Sequence, residues 1–253
     1  MMWVFLFRKK MHMKKFSILK KTIKNQPKRF YPDYQSSVLR SPKLDLVEFV
    51  ATNTEMTGPL FDKGIIGKLD NDLTINFSKN GSKAIGQEIF VHGYIKDQNG
   101  KPLKNVMIEI WQANAGGKYR HLNDNTNVNL DDNFSGCGRF LTSSDGYYYF
   151  KTIQPGAYPF PNNGIKWRPM HIHFSLFGRS FVQRLITQMY FEGDPLISLC
   201  SIINAIPDKK SRNHLIAKLD LSKSETEKIL GYKFDIILRG KDQTFFENRL
   251  EGL

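Results

Sequence analysis

The stretch IFVHGYIKDQNGKPLKNVMIEIW, residues 89–111, decides the fold. Ile89, Val91 and Ile95 alternate with Phe90, His92 and Tyr94, a period of two that sends one set inward and the other outward. Asp97-Gln98-Asn99-Gly100-Lys101-Pro102 follows, dense in turn-forming residues. Val106, Ile108 and Ile110 then alternate with Met107, Glu109 and Trp111. Strand, turn, strand fits both the period and the punctuation.

The same texture continues on either side. Phe140–Thr142 begins a short strand, Ser144-Asp145-Gly146 turns it, and Tyr147–Ile153 runs back until Gln154-Pro155-Gly156 breaks it. His171–Phe174 and Arg184–Phe191 read as further strands, and Tyr232, Phe234, Ile236 and Leu238 alternate to close the sheet. Ser211–Leu219 and Ser222–Leu230 have helical spacing, with Ser222 as an N-cap and Gly231 as a C-terminal stop. Short, evenly spaced strands with turns between them predict a mainly β fold, an antiparallel β-sandwich with a few short helices in loops and near the C-terminus. Residues 14–60 are punctuated by Gln26-Pro27, Tyr31-Pro32, Ser41-Pro42 and Gly58-Pro59. They predict an extended arm, with a short strand at Leu46–Phe49, ordered by lying on the body or on a partner chain. The expected organisation is a basic, disordered extension over 1–30 and one domain over 31–253, made of the arm (31–80) and the sandwich (81–253).

Charge sharpens this division. The chain has 253 residues, 37 Lys and Arg against 24 Asp and Glu, and a formal charge of +13. Residues 1–30 hold ten Lys and Arg and no acidic residue; without them the body keeps only about +3. The body therefore gives no case for a nucleic-acid face. MMWVFLF precedes Arg8, Lys9 and Lys10, the reverse of a secretory signal, and is too short to span a bilayer. The segment reads as a disordered arm, or as lying ahead of a start at Met11 or Met13. No stable membrane association and a cytoplasmic chain are expected. Cys137 and Cys200 make no disulfide framework and are expected as buried free thiols in a reducing compartment.

The chemistry concentrates in YPFPNNGIKWRPMHIHF, residues 158–174. On a strand His171 and His173 share a face, about 7 Å apart at Cα, and can converge on one metal ion. The plainer reading is that they line a half-buried face. No His-x-Asp pattern offers a two-histidine, one-carboxylate site, and no Cys pair offers a zinc site. Tyrosines stand in unusual places instead: Tyr119 in a Gly-rich polar loop and Tyr158 between Ala157 and Pro159. Each alone reads as an ordinary amphipathic tyrosine. Together with the histidines they make a set of two phenols and two imidazoles. A phenol with a pKa of about 10 loses its proton only to a strong Lewis acid. The set therefore points to Fe(III) rather than Fe(II), zinc or magnesium.

The runs GQEIFVHGYIKDQNGKPLKNVMIEIWQANAGGKYRH, GRFLTSSDGYYYFKTIQPGAYPF, WRPMHIHF, LITQMYFEGDPLI and YKFDIILRGKDQTFFE resemble the intradiol ring-cleaving dioxygenases, and among them the iron-bearing β subunits of the protocatechuate-cleaving members. The resemblance spans about Tyr34 to Glu247. GGKYRH, PGAYP and WRPxHIH at these spacings are far more specific than His-x-His alone. The resemblance implies one Fe(III) per chain held by Tyr119, Tyr158, His171 and His173. It implies a catecholic substrate and O2, Arg168 beside the substrate with Gln188, a further substrate-binding residue, close behind it, and Tyr34 on the substrate carboxylate. Arg168 would stabilise developing negative charge, and Tyr158 would be the ligand that leaves, on a loop made flexible by Pro155, Gly156 and Pro159. An α subunit and a larger hetero-oligomer are implied as partners. Phe160 departs from the tryptophan often found next to that tyrosine. Catechol or hydroxyquinol is the alternative substrate. A transthyretin-like binding module would explain the strands but not the Tyr/Tyr/His/His set.

Overall fold

The computed structural model describes residues 27, 28, 30–41, 44, 63–160, 167–177, 184–238 and 244. The expected strand at Leu46–Phe49 lies outside these residues, as does the basic extension over 1–30 apart from residues 27, 28 and 30. Within the arm, Gln35–Arg40 forms a short helix, α1. The two predicted strands stand as β1 (Glu88–Lys96) and β2 (Met107–Trp111), but they do not form a ladder with each other. The remaining strands are β3 (Cys137–Leu141), β4 (Tyr147–Ile153), β5 (Tyr158–Pro159), β6 (Trp167–Arg168), β7 (His171–Phe177), β8 (Arg184–Phe191), β9 (Ile216–Leu219), β10 (Ile229–Lys233) and β11 (Ile236–Ile237). The large sheet runs β11-β1-β10-β9-β8-β7-β2-β3, with β4 also on β1, and curls around one core.

Pairing is antiparallel in β1/β4, β2/β3, β2/β7, β7/β8 and β9/β10. The sandwich is thus antiparallel where it carries the site. Three ladders involving the C-terminal strands, β1/β10, β1/β11 and β8/β9, are parallel. The period of two in β1 is realised: Ile89, Val91 and Ile95 are fully buried. Their outward neighbour His92 is covered by Asp220, whose carboxylate lies 2.9 Å from Nε2. The turn after β1 closes with Lys101 accepting from Asp97 N–H at 2.9 Å, and Gly100 sits at φ +78° as the tight turn requires. In β7, Ile172, Phe174 and Leu176 enter the core and the histidines take the other face. A slip of one residue would exchange the two sets, so core burial itself fixes which way the histidines point.

Neither of the two helices expected near the C-terminus forms as such: 211–219 runs from the end of a short helix into a strand, and 222–230 runs from a 3-10 turn through a further turn into a strand. Helix is confined to α2 (Ser201–Asn204) and α3 (Lys209–Asn213), the latter capped by Asp208 accepting from Ser211 N–H. Beyond α3, Leu215 and Ala217 are fully buried and β9 pairs with β8 and β10. Over 222–230, Asp220 caps a single 3-10 turn, Leu221–Lys223, and Ser222 donates to it rather than capping a helix. Gly231 is no helix stop: it lies in β10, and a Cβ there would meet the Asp220 carbonyl oxygen at 2.6 Å. Long-range pairing overrides local spacing in segments this short.

Of the two expected buried thiols only Cys200 is buried; Cys137 is exposed, and both are free. Cys200 joins a second apolar cluster with Tyr190, Ile202, Ile203, Ile206 and Leu215, against which Tyr34 packs. The start of α1 is thereby seated on the body next to β8. No helix among the described residues is long and apolar enough to cross a membrane.

Candidate metal centre

His171 and His173 stand on β7 between β2 and β8. His171 is opposite Tyr190, and His173 is opposite Gln188 on one side and Trp111 on the other. The Trp111 ring stacks on His173 at 4.7 Å and 6°, which fixes the imidazole plane. His171 Nδ1 lies 2.7 Å from the Pro169 carbonyl. A carbonyl only accepts, so Nδ1 carries the proton and Nε2 keeps its lone pair. Asp194 sets the start of β7: its carboxylate accepts from Met170 N–H at 2.8 Å and from Leu196 N–H at 2.9 Å.

The loop bearing Tyr119 is organised by Asn114. Its Oδ1 accepts from Gly116 and Lys118 N–H at 3.0 and 2.9 Å, and its Nδ2 donates to the Asn129 carbonyl at 2.9 Å. Asp124 accepts from Tyr119 N–H at 2.8 Å. Arg120 turns away and donates to the carbonyls of Asp131 and Phe134. Tyr158, expected on a flexible loop, lies in β5, opposite Arg168 of β6. The glycines around it serve close approach rather than motion. Gly117 sits at φ +87°, and a Cβ on it would lie 2.4 Å from the Ala157 carbonyl oxygen. A Cβ on Gly156 would lie 2.4 Å from the Ala115 carbonyl oxygen and 2.6 Å from Gly117 N. The backbones carrying the two tyrosines therefore touch.

This packing brings both phenols to one nitrogen. Tyr119 Oη and Tyr158 Oη each lie 3.4 Å from His171 Nε2. Their rings meet edge to face at 5.4 Å, and the two imidazoles at 4.9 Å. Among the described residues no three His, Cys, Asp or Glu side chains cluster to hold a metal, so the donors grouped with the histidines here are phenols. Burial holds the His171 pKa well below the ordinary value, with the Arg168 charge and then His173 adding to it. His173 keeps one edge open, yet protein crowds the ring closely enough that burial, followed by Arg168, pushes its pKa down to about 3. Both imidazoles are neutral at ordinary pH and can donate lone pairs.

Arg168, only 3% exposed, donates to Gln188 Oε1 and, at 3.3 Å, to the Tyr190 hydroxyl. Its guanidinium carbon lies 5.8 Å from the Phe160 ring centre. Gln188 is buried between Arg168, Tyr190 and His173, behind the centre. Phe160 stands 6.5 Å from Tyr158 and 6.5 Å from Tyr34, ring centre to ring centre, so Tyr34 lies beyond Phe160. The structure thus brings Tyr119, Tyr158, His171 and His173 together, sets Arg168 and Gln188 beside them, and leaves Tyr34 one ring further out. Sequence reading passed over Trp111, Tyr190, Asn114 and Asp194. The first two looked like strand residues, and cross-strand register was the signal that could have found them.

A family model described as "Dioxygenase" matches residues 56–240. The chain belongs to the intradiol ring-cleaving dioxygenase family and is an enzyme of that class. More particularly, the pattern "Protocatechuate 3,4-dioxygenase beta subunit N terminal" matches residues 22–49. The chain is 45% identical over 223 residues to the protocatechuate 3,4-dioxygenase beta chain of Burkholderia cepacia, covering 88% of this chain and 94% of that one. It is 33% identical to the alpha chain of the Pseudomonas putida enzyme over 64% of this chain and 77% of that one. In fold it resembles the 3-chlorocatechol 1,2-dioxygenase structure from Rhodococcus opacus 1CP, at a TM-score of 0.52 and 24% identity over 72% of this chain and 70% of that one.

Proposed function

We propose that Tyr119, Tyr158, His171 and His173 hold one ferric ion per chain. On this reading the chain is the β, iron-bearing subunit of a dioxygenase that opens the ring of protocatechuate with O2, giving 3-carboxy-cis,cis-muconate. The observation that carries the proposal is the approach of both phenol oxygens to the lone-pair nitrogen of His171, each at 3.4 Å. The donor set fits the group. Two neutral imidazoles add no charge, and two phenols can each supply one negative charge to offset a trivalent cation in a buried site. Ferric iron, when bound, supplies the Lewis acidity that holds a catechol as its anion and readies the ring for O2.

The chain's own residues do the rest. Tyr158, which would be a phenolate while the ion is bound, would take up one of the two catechol protons as the substrate enters, and the other would pass to solvent. Its place in a two-residue strand makes this a local displacement of the side chain, while the packed Gly117–Gly156 contact keeps the backbone in place. His171 and His173 stay fixed by the core burial of β7. Arg168 presents a buried positive charge beside the centre, and negative charge that develops on the substrate is stabilised there without reorganisation. Phe160 and Tyr34 form an aromatic wall outward of Tyr158, where a substrate bearing a carboxylate would lie with Tyr34 at its far end.

The likeness to both a beta and an alpha chain supports an α/β hetero-oligomer, with the arm over 22–49 as a β-specific element. The two free cysteines accord with a cytoplasmic setting. Oxygen uptake by the iron-loaded protein, with and without an α subunit, tests the proposal on protocatechuate, catechol and hydroxyquinol. Uptake fastest with protocatechuate and the spectrum of the muconate product are expected. Preference for catechol or hydroxyquinol would overturn the substrate, and no uptake with any of the three would overturn the reaction.

A further inference from the structure

We infer that Gln112 is a positioning residue for Tyr158: from the exit of β2 it ties down the end of β4, the strand that leads into Tyr158. The role rests on the four-residue centre proposed above. His171 and His173 stand on β7, which is laddered to β2, and Tyr119 follows β2 along the chain. Three of the four donors thus belong to one half of the curled sheet. Tyr158 follows β4, which is laddered to β1, and no ladder joins β2 to β4 among the described residues. The spacing between Tyr158 and the other three donors therefore needs ties between the two halves. The two-residue ladder of β5 with β6 supplies one at Tyr158 itself. Gln112 supplies another, ahead of Tyr158 in the chain.

Gln112 is only 2% exposed, and its carboxamide has a single orientation. Nε2 lies 2.9 Å from the Ile153 carbonyl and 3.1 Å from the Ala113 carbonyl. Carbonyls only accept, so the NH2 end faces them. Thr152, fully buried, donates its hydroxyl to Oε1 at 2.8 Å. Both ends of the amide are engaged, and a buried amide satisfied in this way resists displacement. It holds the last residue of β4 against the exit of β2. Further on, the Asn114 carbonyl accepts from Gly117 N–H and from Gly156 N–H, each at 2.9 Å. Gly156 lies between Ile153 and Tyr158. The segment 153–156 is therefore fastened at both ends, to Gln112 and to Asn114. The loop of Tyr119 uses other groups. The Asn114 side chain holds Gly116 and Lys118, and Asp124 holds Tyr119 N–H. The labour is divided: the Gln112 amide serves Tyr158, and the side chains of Asn114 and Asp124 serve Tyr119.

Amide hydrogen exchange of the full metal-free chain, read by NMR, tests this division, with resonance Raman spectra of the iron-loaded chain as a second readout. Gln112→Leu removes the amide and keeps an apolar side chain of similar reach. In this variant Gly156 N–H is expected to exchange roughly tenfold faster than in the wild type, the scale of one lost buried hydrogen bond. Gly117 N–H, bonded to the same Asn114 carbonyl, should keep its rate. In the Raman spectrum the tyrosinate signature that Tyr158→Phe removes should shift, and the one that Tyr119→Phe removes should stay. General loosening of the core would move both amides and both signatures together, so the selectivity separates positioning from packing. Thr152→Val keeps the shape of its side chain and takes the donor from Gln112 Oε1. It should act in the same direction, and it decides the question where Gln112→Leu does not fold. Equal acceleration at Gly117 and Gly156, or no change at either, overturns the inference. A wild-type chain that takes up no Fe(III) overturns the reading of the centre instead, and the exchange rates of the metal-free chain still decide whether Gln112 fastens 153–156.

Discussion

Gly117→Ala probes the backbone contact that sets the two tyrosines side by side. Alanine at φ +87° enters the left-handed region, which costs about 1–2 kcal/mol for a residue with a Cβ. Its methyl would stand 2.4 Å from the Ala157 carbonyl oxygen and 3.1 Å from Tyr158 Cβ. The nearest obstacle is backbone, so no rotamer relieves it, and overpacking of this kind adds about 1–3 kcal/mol. The sum, about 2–5 kcal/mol, is a large part of the stability of an ordinary domain. Relief comes by moving 155–158 away from 115–117, which separates Tyr158 from Tyr119. Gly193 is the matched control, since it has the same φ of +87° but nothing within 4 Å of its would-be Cβ. Gly193→Ala should lose only the conformational part. Urea unfolding of both variants, with the visible spectrum of the iron-loaded samples, measures the difference. Gly117→Ala is expected to be less stable than Gly193→Ala by about 1–3 kcal/mol and to weaken or shift the phenolate-to-iron band. Equal stabilities and an unchanged band would refute the claim that this contact positions the tyrosines.

Other outcomes follow from the same geometry. The pKa of His173 is lowered from the ordinary 6.5 to about 3 and that of His171 is also depressed, so below about pH 6.5 the unfolded chain binds protons that the folded chain refuses. Stability of the metal-free chain is therefore expected to fall by up to a few kcal/mol as pH drops from about 6.5 toward 3; His173→Gln should flatten that slope in urea titrations at several pH values. Asp194→Ala leaves Met170 and Leu196 N–H without their acceptor and should cost about 1–3 kcal/mol, with weakened iron retention because the start of β7 is loosened. Phe174→Ala should cost about 3–5 kcal/mol by emptying the core behind His173, read as a lower unfolding midpoint. His171→Ala should lose iron under dialysis, whereas Tyr158→Phe should keep it.

Most of the fold was legible because β1, β2, β4, β7 and β8 alternate cleanly and are bounded by Gly, Pro and Asp. The C-terminal third was not. Over 211–230 the apolar spacing fits a helix as well as a strand, and the parallel pairing of β9 with β8 and of β10 with β1 is decided by partners more than twenty residues away. Gly231 and Gly156 illustrate a related ambiguity. A glycine in sequence reads as a stop or a hinge, yet both sit where neighbouring backbone leaves no room for a Cβ. Within the site, His-x-His on a strand was readable from period alone; the tyrosines stood out by their loop settings, and a resemblance gave them the role of ligands. No local pattern could place Gln188 against His173, since that depends on the register of β7 with β8. The same register hid Tyr190 and Trp111, whose roles exist only across a ladder.

The central claim is that two phenols and two imidazoles share one ferric ion, and resonance Raman spectroscopy within the visible band of the iron-loaded chain tests it most directly. Two tyrosinate signatures are expected in the wild-type protein, one of them removed by Tyr119→Phe and the other by Tyr158→Phe. A colourless ferric protein, or a band that survives both substitutions unchanged, would contradict the account.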